Sequence, residues 1–144
     1  MTEKKKPYII QFESEDFYRA VVGLMLFDLG LELNKTASNF RQAEVLVKQI
    51  EEKKLEADLA VIDTLLEREH FEGEQIAAAL KAANPKIKII AYTILPEDQA
   101  WADYTALKSN KDPNRTLIKG FETLLRVGAG KSVKSGSKAE TTSA

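Results

Sequence analysis

The chain has no cysteine at all. That absence excludes disulfide frameworks, thiolate zinc sites and cysteine nucleophiles, and it fits a reducing compartment. An excess of one charge is also missing: 21 basic and 22 acidic side chains leave a formal net charge of −1. General binders of nucleic acid or of membrane surfaces usually carry a basic excess, so neither role is expected. Long hydrophobic runs are absent too. The longest, "AVVGLMLF", is far too short to cross a bilayer. The opening "MTEKKKPYII" has a basic run without the apolar core of a signal peptide, so a cytoplasmic location is the default expectation. No glycine-rich loop follows the first apolar stretch, which argues against a flavin- or nucleotide-binding enzyme. The single histidine, His70, lies in a charged loop and reads as plain surface.

What is there suits one soluble domain. The chain has 144 residues, 44% apolar and 30% charged, enough for one sizeable core. "YIIQF" (Tyr8 to Phe12) reads as a first strand, with Asp16 or Ser14 as N-cap of a helix over Phe17 to Leu29. The helical spacing of Phe17, Ala20, Val21 and Leu24 marks them as its core face, and Gly30 supplies its stop. "LELNKTAS" is a short second strand; Phe40, Ala43, Leu46, Val47 and Ile50 then recur at helical spacing. "DLAVID" is a third strand, and "EQIAAALKAA" a helix closed by Asn84 and Pro85. "KIKIIAYT" is a fourth strand whose β-branched run implies burial on both faces. "ILPEDQAWAD" has room only for a short helix or a structured loop, in which Trp101 and Tyr104 fill the gap. "YTALK" is a fifth strand, and a last helix follows with Asp112 as N-cap and Leu117, Phe121, Leu124 and Leu125 facing the core.

Strands alternating with helices imply an α/β sandwich around a parallel sheet. The folded unit is read as residues 7–128, with a disordered N-terminus over 1–6 and a disordered tail over 129–144. Ligands of such sheets lie outside the carboxyl ends of the strands. There the sequence puts Glu13, Ser14 and Glu15 after the first strand, Asp63 after the third, Thr93 after the fourth and Lys108 after the fifth. Carboxylates suit Mg²⁺, and a lysine with a hydroxyl suits phosphoryl oxygens.

"DLAVIDTLL", "KIKIIAYT" with Thr93 thirty residues beyond Asp63, and "ADYTALKSNKDP" together resemble the receiver domain of two-component response regulators. The similarity spans residues 6–128. It implies a flavodoxin-like (βα)5 fold with strand order 2-1-3-4-5, the fourth helix short or missing. It further implies Asp63 as phosphoacceptor, Thr93 and Lys108 as partners of the phosphoryl group, and no enzymatic turnover. Mg²⁺ would be held by Glu13, Asp63 and the Leu65 backbone carbonyl, with Glu15 a further candidate. The implied partners are a histidine kinase or phosphotransfer protein and a downstream protein target, reached without an appended output domain.

Several positions depart from the family's pattern. Ser14 stands where a second acid usually touches the metal, and Lys108 is followed by Ser109 rather than proline. Thr105 takes the place of the aromatic switch residue, and Lys111 rivals Lys108 for the lysine position. These departures raise an alternative, a degenerate receiver acting as a phosphorylation-independent interaction module. In the first helix Tyr18, Val22, Met25 and Leu29 form a second apolar stripe, widened by Leu26, which predicts a homodimer contact or a docked partner helix.

Overall fold

The apolar runs of the sequence become one five-stranded sheet. The computed structural model describes residues 6–67, 72–109 and 111–126. Along the chain come β1 (Ile9–Phe12), α1 (Asp16–Asp28), β2 (Leu33–Ala37), α2 (Phe40–Glu51), β3 (Leu59–Ile62), α3 (Glu72–Ala83), β4 (Lys88–Thr93), β5 (Tyr104–Leu107) and α4 (Leu117–Leu125). All pairings are parallel, in the order β2-β1-β3-β4-β5. The expected N-terminal segment, apart from Lys6, the tail over 129–144 and His70 lie outside the described residues.

Alternation along the strands splits the core into two layers. Ile10, Phe12, Ala60, Ile62 and Ile89 meet α2 and α3 on one face. Ile9, Leu59, Val61, Ile90 and Tyr92 meet α1 and α4 on the other. Strand β4 is buried from Ile89 to Thr93, as expected of a central strand covered on both faces. No helix separates β4 from β5: over residues 94–103 the chain runs through turns and bends, and Trp101 packs with Ala102 against the α2–α3 layer in its place, whereas Tyr104 begins β5 and packs in the α1–α4 layer. Among the described residues no helix is long and apolar enough to cross a membrane.

Helix ends follow local chemistry. Helix α1 stops where Gly30 takes φ +76°, with the Gly30 N–H bonded to Phe27 O at 3.0 Å and the Leu31 N–H to Leu26 O at 2.8 Å. Its N-cap position is Glu15, without a side-chain cap bond, so neither Asp16 nor Ser14 serves. Asp112 does not cap α4 either. It accepts the Asn114 N–H at 2.9 Å within a preceding turn, whereas Thr116 accepts the Lys119 N–H and starts the helix.

The rotation of α1 reverses the expectation for its two stripes. Val22 and Leu26 are fully buried, and Tyr18, Met25 and Leu29 pack against the same layer, so the stripe assigned to a partner is core. The stripe assigned to the core faces outward: Phe17 is 67% and Leu24 68% exposed, and Phe27 beside them is 75% exposed. Both stripes are apolar, so periodicity does not choose between them. A hydrogen bond from Arg19 Nη1 to Glu13 O, 2.7 Å, fixes the first turn in the observed rotation.

Candidate functional site

Strands β1 and β3 are neighbours, but the chain leaves β1 toward β2 on one side and returns to β3 on the other, so a crevice forms at their carboxyl ends. Asp63 follows β3 directly, its N–H bonded to Phe12 O at 3.0 Å. Glu13 follows β1, its N–H bonded to Ala37 O at 2.9 Å. Lys108 follows β5, its N–H bonded to Thr93 O at 2.8 Å. Sheet hydrogen bonds therefore set the backbone of each residue, and the strand ends bring the three side chains together.

The meeting point is the Lys108 ammonium. Its Nζ lies 2.8 Å from Glu13 Oε1 and 3.2 Å from Asp63 Oδ2. The first contact is an ion pair rather than an aligned hydrogen bond; the second has hydrogen-bond geometry. Exposure is slight for all three: 1% for Glu13, 7% for Asp63 and 3% for the Lys108 side chain. The Tyr18 ring covers the ammonium, its centroid 4.1 Å from Nζ, and the Tyr92 centroid lies at 5.6 Å. Tyr18 in turn stands edge-on to Tyr92 at 5.6 Å and to Phe17 at 5.1 Å.

Burial dominates the electrostatics. It pushes the Glu13 carboxyl above its ordinary range, and the nearby charge of Asp63 adds to the rise while Lys108 opposes it. Asp63 is raised for the same first reason, against Lys108 and the Leu65 N–H. The Tyr92 hydroxyl is pushed up to about 12, chiefly by burial. Two acids therefore share one cation in a nearly dry pocket.

The remaining candidates fall around this triad. Thr93 is buried, and its hydroxyl accepts the Leu95 N–H at 3.0 Å, closing the turn after β4. Leu65 donates its N–H to Asp63 Oδ1 at 3.2 Å. Glu15 donates its backbone N–H to Glu13 Oε2 at 3.2 Å, and its own charge bears on Asp63. Ser14 is half-buried, and Lys111 is exposed, so Lys108 rather than Lys111 reaches the acids. Nothing in the sequence around Tyr92 marks it for the site, and the spacing of Tyr18 places it in a docking stripe. The available signal was an aromatic residue one place before the end of β4, on the α1 side of the sheet.

Tested against a divalent cation, the donor set does not fit as folded. Among the described residues no group of three or more His, Cys, Asp or Glu side chains is placed to hold a metal ion. The two acids that meet are both engaged by one ammonium, and Ser14 supplies a hydroxyl where a third carboxylate would help.

No protein-family model and no curated protein matches the chain. Solved structures do match in fold. A CheY-like response regulator receiver domain from Methanospirillum hungatei is 19% identical with a TM-score of 0.64, covering 85% of this chain and 96% of that one. The receiver domain of the response regulator PhyR from Erythrobacter litoralis is 17% identical with a TM-score of 0.64, covering 92% and 95%. The signal receiver domain of a modulated diguanylate cyclase from Desulfovibrio desulfuricans is 20% identical with a TM-score of 0.62, covering 85% and 95%. At these identities the likeness is one of architecture, and it agrees with the strand order and the four helices. The chain carries the fold of response-regulator receiver domains.

Proposed function

We propose that this chain is a receiver-type signalling module in which Asp63 accepts a phosphoryl group and the result is read through protein–protein contact. The observation that supports it is the buried meeting of Asp63, Lys108 and Glu13, contributed by three separate strand ends. In this reading a carboxylate oxygen of Asp63 attacks the phosphorus of a phosphohistidine on a histidine kinase or phosphotransfer protein. A P–O bond forms, the P–N bond breaks, and its electron pair leaves with the imidazole nitrogen. The Lys108 ammonium then moves from the Asp63 carboxylate to the phosphoryl oxygens and offsets their added charge. The Thr93 hydroxyl accepts the Leu95 N–H and keeps its own O–H to donate to the same group. The module itself is residues 7–128, working in the cytoplasm and turning over no substrate of its own.

A second reading has its own support. Ser14 replaces the acid that would contact a metal, and Lys108 already neutralises part of the acid pair. Under it the chain is a degenerate receiver, an interaction module without phosphotransfer. Incubation with acetyl phosphate followed by intact-mass measurement separates the two. One added phosphoryl mass on the wild type, absent from Asp63→Asn, upholds the first reading. An unchanged wild-type mass overturns it in favour of the second.

A further inference from the structure

We propose that Lys108 is the resident cation of the acid pocket and that Tyr18 holds it there, so that the pocket excludes a divalent metal. This does not depend on whether Asp63 accepts a phosphoryl group. The ammonium has a carboxylate on each of two sides, at 2.8 Å and 3.2 Å, and an aromatic face on a third, at 4.1 Å. An ammonium suits that surrounding: one N–H donates to Asp63, the positive charge pairs with Glu13, and the face of the ring receives the rest of the field. With its side chain 3% exposed, Lys108 has little access to water as a competing partner.

Tyr18 is held over the ammonium by ring contacts and by the fixed backbone of its turn. Its ring stands edge-on to Phe17 and to Tyr92, and its carbonyl accepts a bond from Gln11 Nε2 at 3.4 Å. The next residue, Arg19, ties the same helical turn to Glu13 O at 2.7 Å. Moving the ring off the ammonium therefore breaks its edge contacts with Phe17 and Tyr92. An incoming Mg²⁺ would meet two carboxylates that already share a positive charge, and it would sit beside that charge at short range in a poorly solvated site. It also needs near-octahedral oxygen ligation, which two engaged carboxylates do not supply. Tyr18 is a positioning residue in this arrangement: it acts through Lys108, not on a bound group.

Mn²⁺ binding, followed by loss of the free-ion signal in electron paramagnetic resonance, tests the idea on wild type, Tyr18→Leu and Tyr18→Phe. Leucine keeps apolar bulk without a π face, and phenylalanine keeps the face. The expected result is Mn²⁺ binding to Tyr18→Leu at least about tenfold tighter than to wild type, with Tyr18→Phe behaving as wild type. Equal affinity of wild type and Tyr18→Leu, or a phenylalanine variant that behaves as leucine, overturns the proposal. Should Tyr18→Leu fail to fold, the wild type alone decides. Ring-current-shifted Lys108 ε-methylene protons that stay in place under millimolar Mg²⁺ uphold it, and their displacement by Mg²⁺ overturns it.

Discussion

A Cβ placed on Gly73 would stand 2.6 Å from the carbonyl oxygen of Asp63 and 2.8 Å from the Cα of Thr64. The first turn of α3 therefore presses on the backbone that carries the acid after β3, and the Gly73 N–H bonds Thr64 O at 3.1 Å. Because the obstructing atoms are backbone, Gly73→Ala must move that segment. The expected cost is about 1–3 kcal/mol, as for other overpacked sites, read as a lower denaturation midpoint. Shifted Lys108 side-chain resonances in the same variant will report that Asp63 has moved with it.

Lys108→Met removes the only charge that balances two buried carboxylates at the triad. Breaking a buried ion pair from one side costs about 3–5 kcal/mol, so this variant should lose a large part of its stability in urea. Lys111→Met is the control. Lys111 is exposed, and its replacement should change stability by less than about 0.5 kcal/mol.

The raised carboxyls of Glu13 and Asp63 set the sign of a pH effect. In the unfolded chain both titrate near their ordinary values, 4.5 and 3.8. The folded state holds its protons to higher pH, so it binds more protons than the unfolded chain between those values and the raised ones. Stability from this pair is therefore full below the ordinary values and is lost as pH rises through the raised ones. Asp63→Asn leaves a neutral Glu13–Lys108 pair. It should melt higher than wild type at neutral pH, with the advantage shrinking on acidification toward the ordinary carboxylate range. Parallel melting curves check it; a lower melting temperature at neutral pH would mean that the bonds from Lys108 and Leu65 to Asp63 outweigh its burial.

The two faces of α1 should respond oppositely to charge. Val22→Glu places an unpaired carboxylate in the layer with Leu26 and Phe121 and should cost about 4 kcal/mol or more. Leu24→Glu, on the exposed stripe, should stay within about 0.5 kcal/mol of wild type. Thermal melting of the two variants compares the faces directly.

The ends of β1, β3 and β4 are legible in the sequence because each is a mainly apolar run that stops at a polar residue, as "LAVI" stops at Asp63, whereas β2, "LNKTA", carries little such signal and the strand order comes from the resemblance. Sheet pairing then places those stops along one edge, so Glu13, Asp63 and Lys108 were nameable before their distances were known. The rotation of α1 is not legible, because Phe17 and Tyr18 begin stripes of similar hydrophobicity, and the observed choice goes with burial of Val22 and Leu26 and with the bond from Arg19 to Glu13 O. The start of α4 is ambiguous in the sequence for a related reason. Asp112 and Thr116 are both good caps, and the Asp112–Arg115 turn comes before the helix rather than forming its first turn. The aromatic cover of Lys108 depends on residues from α1 and β4 meeting a residue after β5, a coincidence that no spacing within one segment encodes.

The missing helix between β4 and β5 has a consequence for how the sheet breathes. Strand β5 has four residues, lies at the edge, and owes part of its hold to a loop secured by Arg115, which bonds Pro96 O at 2.7 Å and Asp98 Oδ1 at 2.6 Å. An edge strand held this way belongs to the part of a fold whose amides exchange earliest with solvent. Lys108 travels with that strand. Each fraying of this edge of the sheet therefore also discharges the pocket, leaving Glu13 and Asp63 facing one another without the Lys108 ammonium.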